Sequence, residues 1–239
     1  MIANKRKHHK EKINKIYTWL MKSYGPQGWW PILSHKGKKP DITGEFGGYH
    51  PNDYSYPRNT NQRFEICVGA ILTQNTAWKN VEKALINLET AKVLNPHKLI
   101  QLGEKELREL IRPAGYYNQK AEYLINFTEF FLSLKGEVPA RDEVLQCKGV
   151  GDETADSILL YAYNQPEFVI DAYTRRVFSN LGFIKPDEKY VIIKKLFEMN
   201  VEGNVQIYQE YHALIVEHAK RHYSKKPYGN NDPLIKILR

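Results

Sequence analysis

The chain has 239 residues, 35 Lys plus Arg against 27 Asp plus Glu for a formal charge of +8, 42% apolar residues and 12% aromatic ones. That apolar share supports a packed core and excludes a wholly disordered chain, and the length suits one large domain or two small ones sharing a cleft. Only two cysteines occur, Cys67 and Cys147, which excludes a disulfide scaffold and any site needing four thiolates.

The positive balance points to a polyanionic partner, most often nucleic acid. No run of about 18 apolar residues exists, so no membrane span is expected. The basic N-terminus, MIANKRKHHKEKINK, is not followed by an apolar signal core, and a cytoplasmic, nucleoid-associated location is expected. Both thiols sit in apolar contexts and are read as buried and free in a reducing compartment.

Helical periodicity dominates the chain. Ile13, Ile16, Tyr17 and Leu20 recur at i, i+3, i+4 and i+7, marking an N-terminal amphipathic helix that GPQGWWP (25–31) ends. Residues 32–62 are rich in Gly, Pro, Asn, Asp and Lys, lack a period and read as a long loop. FEICVGAIL (64–72) predicts a buried helix, and TQNT (73–76) breaks it. WKNVEKALINL (78–88) predicts the next, with Val81, Ala84, Leu85 and Leu88 on one face. Further helices are expected near 94–101, 104–112, 117–135 and 140–146. KGVG (148–151) is a tight turn. DETADSILLYAY (152–163) follows as a helix with Ala155, Ile158, Leu159 and Ala162 on one stripe. Helices over 172–183, 190–200 and 208–223 complete the set, and the tail KKPYGNNDPLIKILR reads as irregular and basic. No alternating strand pattern appears.

The chemistry concentrates in LQCKGVGDETADSILLYAYNQPEFVIDAYTRRV (145–177). Gly149 and Gly151 allow positive φ and bare backbone N–H groups. The helix N-terminus that follows adds positive partial charge. Together they make a phosphate-binding corner, with Lys148 as a neighbouring cation and Val150 packing the two helices together. An ordinary helix–turn–helix joint with a glycine C-cap fits the same residues. Asp171 lies twenty residues after Gly151, where a helix should begin. It reads as an N-cap, and the same ionised carboxylate beside a cleft can stabilise a developing sugar cation or orient water.

The combination of G-V-G, then T-A two residues further on, then V-x-D and R-V resembles the helix-hairpin-helix DNA glycosylases of the endonuclease III superfamily. The matching residues are Gly149, Gly151, Thr154, Ala155, Val169, Asp171, Arg176 and Val177. FEICVGAILTQNTAWKNV (64–81) resembles the helix pair opening that superfamily's six-helix barrel, and RPAGYYNQKAEYL (112–124) resembles its G-x-Y-N-x-K-A segment. WWP (29–31), LTQNT (72–76) and YNQKA (117–121) narrow the likeness to the branch of the 3-methyladenine DNA glycosylase III and endonuclease III-related proteins.

The resemblance implies an all-α fold of two helical lobes around a DNA-binding cleft. One lobe is a six-helix barrel with the hairpin (64–165). The other is formed by both termini (1–63 and 166–239), with 32–62 as an insertion of no evident role. It implies base flipping in duplex DNA, with Asp171 catalytic, Gln74 or Asn75 as the wedge and Asn75 favoured. Trp29, Trp30 and Trp78 are candidates for stacking on the base, with only one of the adjacent pair Trp29 and Trp30 facing the pocket. Gln74, Asn75, Lys148, Gly149, Val150, Gly151 and Thr154 are placed on DNA.

Three departures follow. Bifunctional members carry a lysine two residues after the second hairpin glycine, whose amine forms a Schiff base. Here that residue is Glu153, so the expected enzyme is monofunctional, with water attacking and Glu153 lining the pocket or complementing the helix dipole. The four C-terminal cysteines of an iron–sulfur cluster are absent from HAKRHYSKKPYGNNDP (218–233), so no cluster is expected. Lys220, Arg221, Lys225 and Lys226 there contact phosphates or form a solvated face. A metal at His212, His218 and His222 is disfavoured for want of thiols or carboxylates. A monovalent cation on the hairpin carbonyls is allowed by the resemblance, and no other cofactor is needed. The expected partner is double-stranded DNA with a damaged base, met by a monomer. The expected substrate is an alkylated purine such as 3-methyladenine. Mismatched or deaminated bases, a silent hairpin DNA-binding protein, and a lyase using Lys120 or Lys148 are the alternatives.

Overall fold

A computed structural model describes residues 2–37 and 47–238, with side chains from residue 9 onward. The 38–46 stretch of the expected insertion lies outside the described residues. The described chain is helical, without strands, and no described helix is long and apolar enough to cross a membrane.

Helix α1 (Ile2–Tyr24) buries Ile13, Ile16 and Leu20 as its period requires, and Gly25 at φ 69° ends it. After the irregular stretches 25–37 and 47–59 come α2 (Thr60–Leu72), α3 (Trp78–Thr90), α4 (Pro96–Leu99), α5 (Glu104–Leu110) and α6 (Tyr117–Ser133). The hairpin pair α7 (Arg141–Leu145) and α8 (Asp152–Ser157) follows. Helices α9 (Ala172–Asn180), α10 (Tyr190–Asn200), α11 (Val205–His222) and α12 (Pro233–Ile237) close the chain. Nine consecutive residues of α2, Phe64 to Leu72, are buried. A helix apolar on all sides sits at the centre of its lobe, and α3, α6 and α8 pack around it.

The second lobe joins the two ends of the chain. Helix α1 lies against α10 and α11, and α9 against α11. Tyr211 Oη donates to Ile13 O at 2.8 Å and Asn14 Nδ2 to Asn200 O at 2.8 Å. The rings of Phe168 and Phe197 stack at 4.2 Å inside it.

Three expectations need correction. The stripe over 152–163 predicts one regular helix, but it becomes a widened π-helical turn from Ile158 to Ala162. All five of those residues are buried, so packing from every side sets the register rather than a single stripe. Tyr161 spends its hydroxyl there on α11, near Gln209 O (3.1 Å) and His212 Nδ1 (2.8 Å). The tail is not wholly irregular: Asp232 caps α12 by accepting from Leu234 N at 2.8 Å. Cys67 is buried, but Cys147 is only partly so.

Candidate active site

The two lobes meet at a cavity of about 260 Å³ walled by Trp29, Trp30, Tyr49, Trp78, Glu153, Asp171, His212 and Lys220, among others. Its polar anchor is Asp171. The residue caps α9, and Oδ1 accepts from Thr174 N at 2.7 Å. Oδ2 is left for the cavity, 3.7 Å from Nε2 of His212. Burial works to raise this carboxyl. The His212 ring and the Thr174 N–H outweigh it and hold the group below the usual carboxylate range. The cap and the cleft-facing carboxylate are thus one residue using two oxygens.

Glu153 lines the cavity from an exposed position at the start of α8. Burial between the walls, then the charge of Asp171, push its carboxyl up to about 7. It therefore faces the cavity as the sequence suggests, and its place in the first turn of α8 serves the helix dipole as well.

Trp29 and Trp30 both line the cavity, so the expectation that one of them turns away fails. Their rings lie 77° apart, which lets neighbours form two different walls. Trp29 meets His212 edge-on (5.6 Å, 88°), and Trp30 meets Trp78 edge-on (5.4 Å, 83°). Gly69 makes room on α2, since a Cβ there would lie 3.0 Å from Trp30 Nε1. The described part of 32–62 braces this segment. His50 bridges Trp30 O (2.7 Å) and Asp53 O (2.8 Å). Glu210 on α11 accepts from Gln27 N at 2.7 Å and Tyr54 Oη at 3.3 Å.

The hairpin has the expected positive φ at Gly149 but not at Gly151, which is extended at φ −100° as the N-cap of α8. Gly149 lies at φ 79°, and a Cβ there would sit 2.3 Å from the Tyr123 ring. Gly151 precedes α8 with open space beside it. Val150 is buried, as its packing role requires. Lys148 is exposed but paired with Glu122. Two hairpin carbonyls already accept, Cys147 O from Val150 N (3.1 Å) and Gly149 O from Gln74 Nε2 (2.9 Å), so a cation there would share them.

The turn between α2 and α3 divides its roles. Gln74 is tied to the hairpin through Gly149 O and Thr154 Oγ1. Asn75 is exposed at φ 52° and does not cap α3, whose N-cap is Ala77. Tyr116, 66% exposed at φ 48°, stands by the same turn: Thr76 Oγ1 donates to Ala114 O at 2.6 Å.

Neither proposed lyase lysine is at the cavity. Lys120 is buried and donates to Leu72 O, Thr76 Oγ1 and Ala114 O at 2.8, 2.8 and 2.9 Å. Burial lowers its ammonium to about 8, but all three donors are committed to fastening the α2–α3 turn. A lysine that does line the cavity is Lys220, expected from the sequence on phosphates or a solvated basic face. His212 and Tyr49 were missed as well. His212, Val216 and Lys220 share one stripe of α11 at intervals of four, a signal that was available. Tyr49 lies in an aperiodic segment that offers none. The histidine triplet divides, since His218 and His222 turn towards Tyr24, and no three metal-ligating side chains gather among the described residues.

Residues 68–202 match the HhH-GPD superfamily of base excision DNA repair proteins. The chain is 43% identical over 235 residues (94% of each chain) to a candidate DNA repair glycosylase of Methanocaldococcus jannaschii. It is 33% identical to the endonuclease III of Sulfolobus acidocaldarius over 174 residues, covering 70% of this chain and 78% of that one. Among solved structures it resembles the H. pylori 3-methyladenine DNA glycosylase bound to 1,N6-ethenoadenine, with a TM-score of 0.66 and 28% identity over 89% of this chain and 97% of that one. The family match covers more than half of the chain, and the chain belongs to the HhH-GPD superfamily as an endonuclease III-like DNA repair glycosylase.

Proposed function

We propose that this glycosylase is monofunctional and excises alkylated purines such as 3-methyladenine from duplex DNA, leaving an abasic site. The observation that carries the reading is the cavity: five aromatic side chains, Trp29, Trp30, Tyr49, Trp78 and Tyr173, around an ionised Asp171, with a carboxyl at residue 153 where a lyase amine would stand. An alkylated purine carries formal positive charge. It gains about 0.5–2 kcal/mol of cation–π attraction against such walls, and its glycosidic bond is already weak. The likeness to an enzyme holding an ethenoadenine is consistent with this substrate class.

The hairpin N–H groups at 149–151 hold a backbone phosphate, Asn75 fills the vacated stack with Tyr116 beside it, and the base enters the aromatic cavity. The C1′–N bond breaks with its electron pair leaving on the base, which departs neutral. Asp171 Oδ2 faces the sugar cation and directs water to C1′. The water oxygen bonds to C1′ and its proton is released to solvent.

The test is base release from a methylated duplex by wild type and Asp171→Asn, with strand breaks scored before and after alkali. Release of 3-methyladenine, breaks only after alkali, and loss in the variant are expected. Release confined to uracil, hypoxanthine or mismatched bases in a parallel panel would overturn the substrate. Trapping of wild type on DNA by borohydride would overturn the monofunctional reading and direct attention to Lys220.

A further inference from the structure

We infer that His212 is a positioning residue for Asp171: its Nε2–H backs the carboxylate Oδ2 and keeps that oxygen ionised and aimed at the sugar. The inference rests on the glycosylase reading above for its catalytic meaning, but not for its geometry.

Four observations carry it. His212 is 4% exposed, and its Nε2 has no hydrogen-bond partner within range. A buried, unpaired ring nitrogen is costly unless something answers it. The group it faces is Asp171 Oδ2 at 3.7 Å, so a shift of well under 1 Å by either side chain makes the bond. The ring is held from behind, with Nδ1 2.8 Å from Tyr161 Oη, which also lies 3.1 Å from Gln209 O. The edge of Trp29 meets the ring at 88°. His212 therefore sits locked between a hydroxyl and a carboxylate while lining the cavity.

The tautomer follows from the partners. Burial keeps the Tyr161 phenol protonated, so it has one hydrogen to give. If it gives that hydrogen to Nδ1, the imidazole is neutral and its remaining hydrogen is on Nε2. If it gives it to Gln209 O, then Nδ1–H donates to the tyrosine oxygen. A bare Nε2 lone pair would then oppose a carboxylate, so Nε2 must again carry a hydrogen. Both arrangements place a donor at Asp171. The neutral one serves catalysis, because it steadies the carboxylate without cancelling the negative charge a sugar cation needs. Asp171 then resembles a carboxylate with one oxygen spent on its helix (Thr174 N) and the other backed by an imidazole.

Other charges face the pair. Glu153 comes from α8, with Arg175 from α9 acting on it. Glu210 acts on Tyr161 from α11, and Lys220 lines the same cavity.

The experiment compares wild type, His212→Gln, which keeps an N–H near the Nε2 position, and His212→Leu, which has none. The primary readout is the ¹³C titration of the Asp171 carboxyl in free protein, which needs no substrate. Its midpoint should rise by about one unit or more in His212→Leu and stay near wild type in His212→Gln. Single-turnover release from methylated duplex should fall about tenfold or more in His212→Leu at neutral pH, with its acid limb moved to higher pH and duplex affinity unchanged. His212→Gln should recover most of the rate. An Asp171 midpoint unchanged in a folded His212→Leu protein, or equal losses in both variants with no movement of the acid limb, would overturn the inference. If His212→Leu does not fold, a His212→Gln protein as impaired as Asp171→Asn overturns it, and one with wild-type midpoint and rate supports it. A wild type that releases no methylated base, with the titration shift intact, would overturn the substrate reading and leave the positioning role supported.

Discussion

Gln74 Nε2 lies 3.0 Å from Thr154 Oγ1 and 2.9 Å from Gly149 O, so the turn between α2 and α3 is bonded directly to the hairpin. In the proposed mechanism, this one side chain sets the distance between the two grips on DNA. Gln74→Ala should cost about 1 kcal/mol of stability and weaken duplex binding. Asn75→Ala, whose side chain is exposed, should leave thermal unfolding unchanged and slow base release instead. Thermal melts and single-turnover assays of both variants check this, and equal melting losses would contradict it.

The hairpin glycines should fail for different reasons. Gly149→Ala puts a Cβ 2.3 Å from the Tyr123 ring at φ 79°, which should destabilise by about 2–4 kcal/mol through strain and overpacking. Gly151→Ala meets nothing within 4 Å. It should unfold like wild type yet bind duplex less well, because the space beside it is where a phosphate would sit. Urea denaturation and binding titrations separate the two.

Asp171→Asn should abolish most activity without unfolding α9. Asn caps a helix about as well as Asp, so stability should change by less than about 0.5 kcal/mol. Loss of the negative charge should slow release by about a hundredfold or more. A melting temperature several degrees lower would show that the cap matters more than the charge.

Glu153 should be visible in the pH profile. Its carboxyl is pushed up to about 7, so rising pH through that value adds a negative charge beside Asp171 and should raise the release rate of a cationic base. Glu153→Gln should remove that inflection. Glu153→Lys places an amine two residues after Gly151 and should convert the protein into one that borohydride traps on DNA. Absence of trapping in a folded Glu153→Lys protein would argue that the cavity does not bring C1′ to this position.

The C-terminal tail hangs on a buried pair. Asp232 Oδ1 lies 3.0 Å from His218 Nε2, both side chains are fully buried, and Tyr223 Oη donates to the other oxygen. Burial works to raise the Asp232 carboxyl, but His218 and Tyr223 outweigh it and hold it below its ordinary range. A depressed carboxyl contributes stability at pH above its unfolded value and loses it as pH falls through the folded one. Asp232→Asn should therefore cost about 1.5–3 kcal/mol at pH 7, and the gap to wild type should narrow at acid pH. Denaturant midpoints at pH 7 and below 4 test the sign.

The sequence by itself determined most of the helices, the hairpin and the place of Asp171, but not α12 or the π-turn. Those features are local: Ile13, Ile16 and Leu20 repeat at the helical period, Gly149 needs positive φ where it stands, and an aspartate ahead of Ala172 caps the helix it begins. The same locality carried the resemblance to a glycosylase family. Tertiary structure decided the rest. Tyr161 meets His212, the residue behind Asp171, only because a π-turn and α11 lie side by side, from positions 51 residues apart. Tyr49 and the second tryptophan reach the cavity because an aperiodic segment is braced through His50 and Glu210, and no period announces that. Lys120 and Lys220 look alike in the sequence. Burial surrounds one with three acceptors and leaves the other on the cavity wall, because desolvation and hydrogen bonding act on neighbours in space.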